Sequence, residues 1–260
     1  MINRKIARLL QIINNPGALR GLFTLRGNFS ISSFRINAVV AAYQSIFHTI
    51  IDVGANMGQF AFAAAQRFPM AEIYCFEPAP DVYRILKDNL KNFPKIHFNN
   101  CAIGNENGKI PFYQNELTLA SSALPMHEKN IHPNCDAKRS NIIEVDIFRM
   151  DDFPSLHIRE PVLLKLDVQG YEKNALEGAE KTLKYIDYIA LEVSFVQLYE
   201  NQPLFDELHE YLKALGFELL VPVDVNEGNN LAIVEMDVLY RKVKRGNTNM
   251  QKTRLQGSVV

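Results

Sequence analysis

"IIDVGANMGQF", residues 50–60, runs from apolar residues into an acid, through a turn bearing two glycines, and out into small and apolar residues. That pattern reads as a buried strand entering a helix through a tight turn suited to holding a ligand. Outward from it the same rhythm repeats. Strand-length runs at 50–53, 72–76, 96–100, 162–167 and 187–193 alternate with helix-period segments at 57–68, 80–92, 171–184 and 203–215. Pro69, Pro94 and Gly216 stand at or just past helix ends, where breakers belong. The alternation predicts an α/β fold with a doubly wound, mostly parallel sheet and helices on both faces. Residues 217–223 and 231–241 read as a closing antiparallel strand pair. Between 104 and 160 the rhythm breaks. Strand-like pieces at 109–113 and 142–148 flank "QNELTLASSALPMHEKNIHPNCDAKRS". A connection this long in a compact domain usually carries function. It is expected to act as an insertion or lid over the ligand crevice.

Charge divides the chain in three. Of 28 basic residues, six lie in residues 1–51 (Arg4, Lys5, Arg8, Arg20, Arg26, Arg35) and six in 241–260, and neither end holds an acid. The middle is therefore strongly acidic, although the whole chain nets -1. The expected organisation is a basic helical extension over 1–47, a catalytic domain over 48–241, and a basic, disordered tail over 242–260. Ile2, Ile6, Leu9, Leu10 and Ile13 share one face of an amphipathic helix beside Arg4, Lys5 and Arg8. It reads as packed on the domain, with weak contact to an anionic membrane surface as the sharper alternative. The scattered Cys75, Cys101 and Cys135 suggest neither a disulfide framework nor a zinc spacing, which fits a reducing, cytoplasmic setting. Oligomeric state is not legible.

The turn itself narrows the ligand. D-x-G-x-x-x-G departs from the dinucleotide fingerprint, and no P-loop is present. An acid at the strand end, Asp52, would repel a pyrophosphate. It suits S-adenosylmethionine (SAM), which carries an ammonium, a sulfonium and a neutral ribose. Gly54 admits a close ligand approach, Asn56 continues the turn, and Gly58 allows tight packing at the helix start. Glu77 ends the second strand, where a carboxylate accepts hydrogen bonds from ribose hydroxyls. Asn100, Cys101 and Ala102 end the third, where an adenine edge would lie.

Together, "IDVGANMGQF", "FEPAPDVYRIL", "CAIGNENGKIPFY", "SSAL" and, above all, "LLKLDVQGYEKNALEGA" resemble the FkbM-type SAM-dependent methyltransferases over roughly residues 48–222. The resemblance implies a class I, Rossmann-like methyltransferase fold. It also implies O-methylation of a hydroxyl on a glycan or glycolipid sugar, or on a polyketide-like product. The acceptor is accordingly expected to be a small molecule or a glycan.

On the acceptor side, Asp167 ends the fourth strand at the crevice, with Lys165 on the same face. It is a candidate base, acceptor holder or methionine contact. Glu172 opens the next helix, as a catalytic group or a cap. Glu192 ends the fifth strand at the same edge and could share proton removal. Gln169 stands where the family often has a second acid, which weakens a three-carboxylate metal site. His127, His132, Cys135 and Asp136 match no zinc motif, so no metal is expected, while a single lid histidine remains an alternative base. "LDVQGYE" is not the turn of a nucleic-acid amino-methyltransferase. No cysteine lies near the fourth strand to serve a cytosine-C5 enzyme, and the acidic body disfavours a phosphate backbone. A catalytically silent SAM-fold partner subunit, a NAD-dependent oxidoreductase and an aminopropyl transferase are the other readings.

Overall fold

The structure, a computed structural model, describes residues 25, 30–115, 117–127, 140–227 and 232–243. The amphipathic segment 2–13, the lid residues His132, Cys135 and Asp136, and the tail beyond Val243 lie outside them.

Two sheets organise the chain. The larger uses β1 (Thr49–Val53), β2 (Glu72–Phe76), β3 (Ile96–Asn99), β7 (Val162–Leu166), β8 (Tyr188–Ser194), β9 (Phe217–Glu227) and β10 (Ile233–Lys242). Its order is β3-β2-β1-β7-β8-β10-β9. The first five strands pair in parallel, and β10 lies antiparallel to both β8 and β9. The expected doubly wound sheet and closing antiparallel pair are therefore both present. Every residue of β1 and of β7 is buried. Parallel strands covered on both faces must be apolar almost throughout, which is why these two read as continuous runs.

Helix α1 (Ile31–Tyr43) packs with α2 (Gln59–Arg67) and β9. Ser30 caps α1 by accepting from the Ser33 amide. The core on this face includes Val40, Ile50, Phe62, Ile73 and Leu163. The opposite face is closed by α4 (Glu172–Glu177) and α5 (Phe205–Ala214), around Val53, Phe76, Leu166, Leu176 and Leu212. The long helix read over 171–184 is shorter in the structure: α4 ends, and a 3-10 turn follows at Thr182–Lys184. A close approach marks the break. A β-carbon on Gly178 would sit 1.7 Å from the carbonyl oxygen of Gly104, so only glycine admits the insertion there. The Asp151 carboxylate then captures the Lys181 and Thr182 amides and starts the new turn.

The insertion has its own sheet, in which β6 (Asn141–Phe148) lies between β4 (Ala102–Ile103) and β5 (Gly108–Gln114). Ile110, Phe112, Val145 and Ile147 pack it against Ala79 and Val82, where α3 (Pro80–Leu90) begins. Among the described residues no helix is long and apolar enough to cross a membrane.

Candidate active site

Open α/β sheets bind ligands beyond the carboxyl ends of their strands, at the point where strand order reverses. Here that point lies between β1 and β7, whose registers place Asp52 beside Lys165. A cavity of about 590 Å³, counting its open mouth, sits there and is lined by Glu77, Ala102, Thr118, Asp167, Gln169 and Tyr171, among others.

The β1 turn is shaped by its backbone. Gly54 has φ +76°, and a β-carbon on it would lie 1.8 Å from the Asp167 carbonyl oxygen. The Gly54 and Ala55 amides both donate to the Phe76 carbonyl. Gly54 and Asn56 line the cavity. Gly58 does not; it packs the start of α2 against Leu86 and Leu90.

Glu77 is 6% exposed and accepts hydrogen bonds from the amides of Asn56 and Ala79, each at 2.9 Å. Burial raises its pKa to about 7 against the opposing pull of those two amides. Asn100 stands off the cavity wall: its amide nitrogen donates to the carbonyls of Glu77 and Pro78. Cys101, Ala102, Ile103 and Phe112 supply apolar wall instead. Burial pushes the Cys101 thiol up to about 12, so it is not a thiolate nucleophile at neutral pH.

Asp52 is fully buried behind the cavity rather than on its wall. Burial raises its pKa, and Lys165 opposes the shift. The Lys165 ammonium lies 3.2 Å from Asp52 and 3.6 Å from Asp167, and donates to the Gly54 carbonyl at 3.0 Å. The contact with Asp52 is a buried ion pair. Burial works against the Lys165 charge, but the charges of Asp52 and Asp167 outweigh it. One cation thus ties the two turns together.

The β7 turn is built from side chains. Glu172, 3% exposed, takes the amides of Val168 and Gly170 on one oxygen, at 3.1 and 3.2 Å. Burial, opposed by these bonds, raises its pKa to about 7. The Asp167 side chain is 36% exposed and lines the cavity. Gln169 Nε2 donates to Asp167 Oδ1 at 2.9 Å and to Glu192 Oε2 at 3.0 Å. Burial first, then the charges of Asp167, Glu235, Asp237 and Glu172, push Glu192 well above the usual carboxylate range.

Three participants had not been singled out from the sequence. Glu235 and Asp237 lie on β10 directly opposite Ser194 and Glu192, and burial raises both to about 7. Their signal was present as two acids two residues apart in an apolar strand. Tyr199, which donates to Gln169, sits in a loop and left no such trace. In the lid, Ser121 lines the cavity and accepts from the Asn115 amide, while buried Ser122 donates to the Gln169 carbonyl. His127 is not on the wall; its backbone amide donates to the Leu198 carbonyl.

The Methyltransferase FkbM domain profile matches residues 52–219. The chain is 28% identical over 222 residues to the 2-O-methyltransferase NoeI of Sinorhizobium fredii, covering 82% of this chain and 87% of that one. It is 23% identical over 206 residues to the 31-O-demethyl-FK506 methyltransferase FkbM of Streptomyces tacrolimicus, covering 67% and 74%. Among solved structures, SAM-bound magnesium protoporphyrin IX methyltransferase of Synechocystis aligns with a TM-score of 0.45 at 10% identity, covering 82% of this chain and 81% of that one.

Proposed function

This chain belongs to the FkbM methyltransferase family and is a SAM-dependent methyltransferase, and we propose that it methylates a hydroxyl. The acceptor would be a sugar of a glycan or glycolipid, or a polyketide-like product. The observation that carries this reading is the part-exposed Asp167 carboxylate on the cavity wall, held beside Glu192. The similar proteins named above as a 2-O-methyltransferase and a 31-O-demethyl-FK506 methyltransferase support oxygen as the target.

The residues fit the donor. Gly54 keeps the turn open where any side chain would collide with Asp167. Glu77 reaches the wall with each oxygen already oriented by an amide, leaving further lone pairs for ribose hydroxyls. Ile103 and Phe112 offer an apolar face for adenine. When bound, SAM supplies a methyl group already activated by its sulfonium. The protein's task is then to orient the acceptor and remove its proton. Asp167 takes that proton, and Glu192, which is not on the cavity wall, shares the charge through Gln169. Glu172, turned toward two amides rather than the cavity, braces the turn.

Calorimetric titration of SAM into the wild type and Glu77→Ala, with NAD as control, tests the cofactor half. Binding to the wild type alone, with none for NAD, is the expected result. Methyl transfer from labelled SAM to panels of methyl glycosides, glycolipids and macrolides tests the acceptor half. Transfer to nitrogen rather than oxygen would overturn the hydroxyl assignment.

A further inference from the structure

Gln169 holds an uncommon backbone conformation for a residue with a β-carbon, φ +54°, followed by Gly170 at φ +94°. Such a conformation costs on the order of 1 kcal/mol or more and persists only where the surroundings fix it. What it achieves is placement. The side-chain amide lands between two carboxylates, Asp167 just past the end of β7 and Glu192, which the sequence placed at the end of its strand but which lies within β8. An amide nitrogen has two hydrogens, and here one goes to Asp167 and the other to Glu192. The amide oxygen accepts from the Tyr199 hydroxyl at 2.8 Å. That hydroxyl also lies 3.2 Å from the carbonyl of Ala120, in the 3-10 turn Thr118–Ala120 that roofs the cavity. Tyr199 further bridges Met126 through its backbone, and Ser122 donates to the Gln169 carbonyl at 2.6 Å. Roof, Tyr199, Gln169 and the carboxylate pair are one connected network.

We propose that Gln169, oriented by Tyr199, is a positioning residue that aims the Asp167 carboxylate into the cavity and fixes Glu192 beside it, so that the pair is set only when the roof is in place. The proposal rests on Asp167 as the proton acceptor. Its physical need is plain. Glu172 from α4 and Glu235 and Asp237 from β10 all press negative charge on this pair. Lys165 on β7 is the opposing cation, itself shared with Asp52 on β1. Donors to the ionised form of a carboxylate favour that form. The amide therefore keeps the pair competent to take a proton while spending no charge of its own.

The test is a carbon-13 NMR titration of side-chain carboxyls in the full-length wild type, Gln169→Leu and Tyr199→Phe, with SAM affinity measured alongside. Loss of the amide donor is expected to move the Glu192 titration further upward, by about one pH unit, in Gln169→Leu. The shift is expected to be smaller, in the same direction, in Tyr199→Phe. SAM affinity should stay within about threefold, and the Glu77 signal should not move. A Glu192 signal that titrates as in the wild type in both folded variants would overturn the proposal, as would loss of SAM affinity in parallel with loss of folding. Asp167→Asn separates the underlying reading: full turnover in that variant would remove Asp167 as proton acceptor, whatever the titrations show.

Discussion

The turn after β1 and the turn after β7 lie against each other and use one device, a buried glutamate catching two backbone amides. Glu77 catches Asn56 and Ala79; Glu172 catches Val168 and Gly170. They differ in what remains free. Glu77 lines the cavity, whereas Glu172 is turned inward and the wall position falls to Asp167 and Gln169. The donor side is thus a rigid backbone cradle with one acid. The acceptor side is a side-chain network tied to the roof. A cradle for a constant ligand can be fixed by local geometry, but a site that must orient a proton acceptor needs partners from several elements.

The difference can be broken most severely on the acceptor side. Asp167→Asn is expected to cut turnover by about 10²–10⁴-fold, with SAM affinity in calorimetry little altered. Retained turnover would erase the division of labour. On the donor side, Gly54→Ala forces a β-carbon onto the Asp167 carbonyl at a positive φ. It should weaken SAM binding by roughly 100-fold and lower the unfolding temperature, because the clash is with backbone that cannot swing away. The two glutamates sharpen the contrast. Glu77→Gln should weaken SAM by about tenfold, since it removes charge-assisted acceptance. Glu172→Gln should leave SAM affinity within about threefold while costing about 1–3 kcal/mol of stability. Equal losses of SAM affinity would mean that both glutamates hold the donor.

The smallest effect is on pH dependence. Glu77 and Glu172 have folded-state pKa values of about 7 against an ordinary 4.5. Between those values the native state binds more protons than the unfolded chain, so stability falls as pH rises. The contribution is fully present below about pH 4.5 and gone above about pH 7. Thermal unfolding of the ligand-free protein should therefore show a smaller fall from pH 5 to 7.5 in Glu172→Gln than in the wild type. Each kcal/mol is about 2–4 °C for a domain of this size. An identical fall in both would show that Glu172 does not titrate in that window.

The strand–helix alternation from Ile50 onward determined the parallel sheet, because strands buried on both faces and amphipathic helices have different periods. The same reading placed Gly54, Glu77 and Asp167 at strand ends, and strand ends on one sheet edge converge whatever the loops do. Sequence could not show that Asp52 turns behind the wall to meet Lys165, or that the Asn100 amide is consumed by the carbonyls of Glu77 and Pro78. Those outcomes depend on which neighbour each side chain meets across strands. Nor could periodicity show that Gly178 packs against Gly104, which lies 74 residues away in the chain. Local pattern determines elements and their edges. Only the packed structure brings Gln169, Tyr199, Glu192 and Glu235 together, because they come from a turn, a loop and two strands whose adjacency is set by long-range pairing and leaves no periodic trace.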